Sequence, residues 1–179
     1  MKLGNNSPRY RFGLDLTGAY KGFDFRLFFQ GVMKRDFSPS STCVYFWGMT
    51  DNRWFSSCYT ENLDYFRPED TTNPLGPNLD AYLPRPVKDN AKNLRAQSRY
   101  IQSSAYIRLK NVQLGYTLPK SLVQKICLSN VRVYVSGENL WTGTKLMKTM
   151  DPEQIDGGSI QGAVYPLTKV VAAGLNVTF

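Results

Sequence analysis

From Tyr10 the chain alternates. Tyr10, Phe12, Leu14, Leu16, Gly18 and Tyr20 fall on one side, and Arg9, Arg11, Gly13, Asp15 and Thr17 on the other. Successive side chains of a strand point to opposite faces, so this period of two predicts a strand with one apolar face, ended by aromatics, and one polar face. Lys21-Gly22 predicts a tight turn. A second run repeats the scheme, with Phe23, Phe25, Leu27, Phe29 and Gly31 against Asp24, Arg26, Phe28 and Gln30. The two runs, near 9–20 and 23–32, predict a hairpin.

Alternation returns near 104–118 with Ile107 and Leu109, then Val112, Leu114, Tyr116 and Leu118. The phase slips by one residue at Lys110-Asn111, which reads either as a β-bulge or as the end of one facing. A short connection with room for one helical turn leads to a fourth strand near 130–140. There Val131, Val133 and Val135 oppose Arg132, Tyr134, Ser136 and Glu138. A fifth strand near 167–179 sets Val171, Ala173, Leu175, Val177 and Phe179 against Ala172, Gly174, Asn176 and Thr178.

The connections differ in kind. The segments near 33–103 and 141–166 lack periodicity, and Pro39, Pro68, Pro74, Pro77, Pro84 and Pro86 forbid long regular elements in the first. Unstructured loops longer than ~15 residues are uncommon in compact domains and usually functional. The order is tight turn, long loop, short turn, long loop. Transmembrane barrels pair short turns at one end with long loops at the other, and each strand needs only about 9–11 residues to cross. The predicted fold is therefore all-β: an antiparallel meander of about five strands forming the C-terminal part of a transmembrane β-barrel, with two long extracellular loops. Five strands cannot close around a lumen, and unpaired amides facing lipid cost several kcal/mol each, so the expectation is a piece of a larger barrel.

Composition narrows the chemistry. The absence of His removes Ser-His-Asp triads, Cys-His dyads and His-based metal sites. The net charge of +8 suits any polyanion, nucleic acid or phospholipid alike, and its placement has to decide. The basic residues are spread over strands and loops without an aromatic-basic recognition motif, so no nucleic acid partner is expected. Cys43, Cys58 and Cys127 have no CxxC spacing, and a Cys43–Cys58 bridge stays open as an oxidising-compartment staple. No apolar run approaches the ~18 residues of a membrane helix. The first residues, Met1-Lys2-Leu3-Gly4, lack the apolar stretch of a secretory signal, which again places a missing part on the N-terminal side.

Several segments resemble the C-terminal end of the SusC/RagA family of TonB-dependent outer-membrane transporters, typical of Bacteroidetes. They include Tyr20-Lys21-Gly22-Phe23-Asp24 with Phe28-Phe29-Gln30-Gly31, and Ala105-Tyr106-Ile107-Arg108-Leu109-Lys110-Asn111-Val112 with Leu114-Gly115-Tyr116-Thr117-Leu118-Pro119. Val135-Ser136-Gly137-Glu138-Asn139-Leu140, Asp151-Pro152-Glu153, Tyr165-Pro166 and Gly174-Leu175-Asn176-Val177-Thr178-Phe179 continue the match, as do Arg67-Pro68-Glu69 and Leu83-Pro84-Arg85 in the long loop. The resemblance implies a final portion of a plugged barrel of about 22 strands. It implies a nutrient importer of the cell outer membrane that takes up glycans or oligopeptides, is embedded in outer-membrane lipid, and is partnered by a SusD-like surface lipoprotein. It also implies a TonB complex acting through the missing N-terminal part.

Within that frame the expected work is binding and passage rather than catalysis, with no cofactor and no metal. Trp47, Trp54, Tyr59 and Trp141 are candidate ligand or partner contacts in the outward loops, where large amphipathic rings also serve loop packing or an interface girdle. Asp64, Glu69, Asp70 and Asp80 read as solvated loop acids rather than a glycosidase pair, because no strand fixes their separation. Arg11, Asp15, Asp24, Arg26 and Arg132 are expected to line a lumen or meet a plug. The terminal Gly174, Val177 and Phe179 resemble the signal read by the barrel-assembly machinery. A truncated, freestanding β-rich module that binds carbohydrate or a polyanion is the alternative, separated from the importer by its solubility without detergent.

Overall fold

The computed structural model describes residues 4–48, 58–70, 72–87, 92–155, 161 and 164–179. The chain divides into two compact units. A sheet unit comprises Pro8–Lys34, Ala105–Thr144 and Leu167–Phe179, and a loop unit is drawn from 4–7, Arg35–Ser104 and Lys145–Pro166.

The sheet unit holds five long strands: β1 (Tyr10–Tyr20), β2 (Phe23–Met33), β5 (Tyr106–Thr117), β6 (Asn130–Thr144) and β7 (Val170–Thr178). They form one antiparallel sheet in the order β1-β2-β5-β6-β7, an open meander rather than a closed barrel. Tyr20 pairs with Phe23 across Lys21 and Gly22, whose φ angles of 48° and 87° are both positive. A two-residue hairpin of this hand needs that conformation at both positions, and Gly22 meets it without strain. The short connection carries helix α2 (Lys120–Val123), followed by a 3-10 turn (Gln124–Ile126), with Val123 buried.

The phase slip at Lys110-Asn111 is a bulge. Phe28 and Phe29 of β2 oppose Asn111 and Leu109 of β5, which in turn oppose Glu138 and Trp141 of β6. Each strand thus holds one residue more than the last between the same flanking pairs. One extra residue on β5 flips its alternation, which the sequence displays. Two on β6 leave its alternation unchanged, so the bulge there is silent in the pattern. Asn139 takes the left-handed conformation this requires, at φ 52°, and Asn tolerates it better than most side chains.

Among its described residues the loop unit has little regular structure: a two-residue pair of strands, β3 (Asp36–Phe37) with β4 (Gln102–Ser103), the single turn of α1 (Val44–Trp47), and 3-10 turns at Thr60–Leu63 and Ser98–Tyr100. It nevertheless has a core. Phe37, Cys43, Phe46, Trp47, Leu83, Leu94, Tyr100, Leu146, Met150 and Ile155 are buried together. Phe46, Trp47, Tyr82 and Tyr100 meet edge to face with ring centroids 4.7 to 6.1 Å apart. Burying each such side chain contributes about 1.5–3 kcal/mol, which repetitive backbone pairing does not have to supply. Two polar groups are enclosed with their needs met. The Trp47 indole N–H donates to the Ser40 carbonyl at 2.7 Å, and the Asn62 amide donates to the Phe46 carbonyl while accepting from the Tyr59 N–H. Burial also pushes the Tyr100 phenol above its ordinary range.

Candidate functional site

The register places every apolar row of the sheet on one face. Leu14 pairs with Phe29, Phe29 with Leu109 and Leu109 with Trp141. Two rows nearer the turns, Phe25 pairs with Leu114, Leu114 with Val135 and Val135 with Ala173. This face is open: Phe25 is 45% exposed and Leu114 55%, with Leu14, Leu16, Val133, Val135, Val171 and Leu175 also exposed. Monomeric soluble proteins rarely leave such a run of apolar side chains to water, and a face of this kind marks contact with protein or membrane. Tyrosines stand at its margins, Tyr10 at one end and Tyr20 and Tyr116 with Phe23 at the other, while Phe12, Phe25 and Phe29 lie between them. The rings of Phe23 and Tyr116 lie 4.5 Å apart.

The opposite face is polar and holds the charges singled out from sequence. Asp15 and Arg26 form a two-point ion pair, with N–O distances of 2.6 and 3.1 Å. Asp24 of β2 reaches Arg132 of β6 across the whole width of β5, with the Arg132 Nε donating to Asp24 at 2.8 Å. Gly115 of β5 lies beneath that pair, and a Cβ there would collide with both the Arg132 guanidinium and the Asp24 carboxylate. The missing side chain is what lets the pair form. Arg132 also lies over the Tyr134 ring at 5.2 Å, and Arg108 donates to Thr142 Oγ1 at 2.8 Å. Arg side chains on such a wall offer planar forks to carboxylates, here within the protein itself.

The four aromatic candidates separate. Trp47 takes the loop-packing role, fully covered in the core of the loop unit. Trp54 lies outside the described residues. Tyr59 is half-buried, its ring stacked on Tyr45 at 5.8 Å. Trp141 corrects the sequence expectation that a loop begins there. It sits inside β6, which runs on to Thr144, and is 52% exposed on the apolar face opposite Leu109. Gly143 is a weak strand former between two favourable threonines, and pairing with β5 holds Thr142–Thr144 extended.

Of the terminal residues, Gly174 pairs with Tyr134, whose ring covers it, and Val177 pairs with Val131 on the apolar face. Phe179 follows the end of β7 with its ring 90% exposed. None of the three cysteines is in a disulfide, and Cys43 is buried 3.8 Å from the Met150 sulfur. Among the loop acids, Asp64 is a structural acceptor for the Asn78 amide and the Tyr82 N–H. Sequence reasoning missed Gly115, Asn62 and Arg67, the last buried and donating to the carbonyls of Leu63, Tyr65 and Gly76. Gly115 left a signal as a glycine on the polar side of an alternating run, Arg67 only as part of the Arg67-Pro68-Glu69 match, and Asn62 none.

No family model matches. The TonB-dependent receptors P26 and P3 of Formosa agariphila are each 30% identical to the chain over 189 and 193 aligned residues, covering 99% of it. The chain spans 18% and 17% of the length of these two curated relatives. Solved structures of the RagAB peptide importer in its open-open and closed-closed states superpose over 98% of the chain with TM-scores of 0.65 and 0.66. They are 22% and 21% identical, and 18% of each is covered.

Proposed function

We propose, from the similarity to TonB-dependent receptors over 99% of the chain, that it belongs to a SusC/RagA-type receptor and supplies part of the wall and the outer loops of an energised nutrient importer in the cell outer membrane. The substrate in this reading is a glycan or an oligopeptide, admitted with a SusD-like surface lipoprotein and driven by the TonB complex. The observation that carries it is the uncovered apolar face of a sheet whose other face is charged and internally paired. Hydrocarbon is the solvent in which that arrangement costs nothing, and a water-filled bore is where the paired charges belong.

In this reading Trp141 and the marginal tyrosines stand at the membrane interfaces, where amphipathic rings are favoured. Tyr59 remains a contact for ligand or partner. Gly174, Val177 and Phe179 serve the barrel-assembly machinery, with the Phe179 ring free to be read. The alternative of a freestanding carbohydrate- or polyanion-binding module leaves the same apolar rows in water.

The test is uptake of labelled oligosaccharides and oligopeptides by cells carrying the full-length protein, with and without a functional TonB. Uptake that vanishes without TonB, from a protein recovered in outer-membrane fractions, is the expected result. Recovery of the protein as a detergent-independent soluble monomer would sink the importer reading.

A further inference from the structure

The loop unit contains a polar cleft of about 520 Å³, a volume in the range of small-ligand sites, among whose lining residues are Tyr65, Pro68, Asp70, Asn73, Arg85 and Pro86. Its floor is fixed. Arg67 lies over the Tyr65 ring at 4.8 Å and donates to three main-chain carbonyls, while the Asn73 amide donates to the Tyr65 hydroxyl at 2.6 Å. Arg85 stands on a stiff backbone, between Pro84 and Pro86. It is exposed and makes no hydrogen bond or ion pair with any described residue, and the same holds for Asp70. A cation and an anion thus line one cleft without pairing with each other.

Such a pair suits a ligand that offers a carboxylate to Arg85 and hydrogen-bond donors to Asp70. The main chain narrows the class. Of the main chain lining the cleft, the N–H groups of Phe66 and Arg67 are already spent on the Leu83 and Asn78 carbonyls, and Pro68 and Pro86 have none. The paired stretch Phe66–Pro68 therefore offers an extended peptide no main-chain edge to join. Sugar hydroxyls need only side-chain acceptors and donors, and the proline rings offer flat apolar surface to a sugar's C–H face. We propose that this cleft binds an acidic oligosaccharide, with Arg85 clasping a uronate carboxylate and Asp70 and Asn73 taking the neighbouring hydroxyls.

The proposal rests on the importer reading only in taking its ligand from outside the cell, and binding to the purified receptor tests it apart from uptake. Loss of TonB-dependent uptake with binding intact would strike that reading alone. The experiment is calorimetric titration of the full-length receptor in detergent with trigalacturonate, its methyl ester and triglutamate. Trigalacturonate is expected to bind at least tenfold more tightly than the ester or the peptide. Arg85→Gln should erase that margin and Arg85→Lys restore part of it, while Asp70→Asn weakens acid and ester alike. Limited proteolysis of each variant checks that the loop unit is intact. No binding of trigalacturonate, equal binding of the ester, equal competition by triglutamate, or an unchanged affinity in Arg85→Gln with intact loops would each overturn the assignment.

Discussion

In the sheet unit the large apolar side chains, Phe25 and Leu114 among them, stand open, whereas in the loop unit Phe46 and Trp47 are completely covered. The same chain thus solves the same problem twice, with opposite geometry. The sheet pairs each strand with the next and leaves its apolar rows uncovered; in the importer reading hydrocarbon is their solvent and no second layer is needed. The loop unit answers to water. It has few ladder bonds, and its aromatic core with individually satisfied polar groups such as Asn62 takes the place of regular structure. Irregular sequence is therefore not the same as an unpacked loop.

The comparison breaks most readily at Trp47. Trp47→Ala in the full-length protein should cost the loop unit about 3–5 kcal/mol, the usual range for a large core aromatic. Limited proteolysis should then cut within the loop segments while heat-modified gel mobility still reports a folded barrel; loss of both together would mean that the two units are not independent. Next in size is the contrast between neighbours on β1. Leu14→Arg on the open apolar face should cost about 2–4 kcal/mol and lower the folded-barrel yield, and Asp15→Arg on the polar face should lower it much less. Equal yields would overturn the assignment of faces.

A third variant probes the loop unit without opening a large cavity. Asn62→Ala removes the acceptor of the Tyr59 N–H and the donor to the Phe46 carbonyl, for a loss of about 1–3 kcal/mol. It should appear as faster amide exchange around Tyr59 with no change in the sheet. Smaller again is Gly115→Val, which puts a side chain between Asp24 and Arg132. A modest drop in the temperature of barrel unfolding, less pronounced in high salt, is expected, and an unchanged midpoint would show the pair to be idle. Deleting Phe179 should leave stability untouched and reduce only the amount of receptor reaching the outer membrane, measured in membrane fractions.

How far the sequence could be read depended on the range of the interactions. Tyr10 to Gly31 announced a hairpin because alternation and a Lys-Gly turn are written in neighbouring residues, and the single extra residue on β5 showed as a phase slip. The paired extra residues on β6 cancelled, which is why that bulge was invisible and why the strand ran past Trp141 unannounced. In the loops, Trp47 and Tyr59 were legible as amphipathic rings but not as buried or half-buried ones. Their neighbours Met150, Tyr100 and Tyr45 come from positions that no local period connects. Asp24 and Arg132 were both marked as polar-face charges, yet nothing in their spacing revealed that they meet over Gly115.

By itself, then, the order of residues determined the strands, their two faces, the hairpin turn and the family, because a strand's facing is a property of consecutive side chains and the motifs lie within single strands and turns. The tertiary structure alone decided which loop aromatics became core, where the second bulge fell, and how Arg85 and Asp70 came to share a cleft. Those outcomes depend on which distant segments close upon one another, a matter of packing that no periodicity encodes.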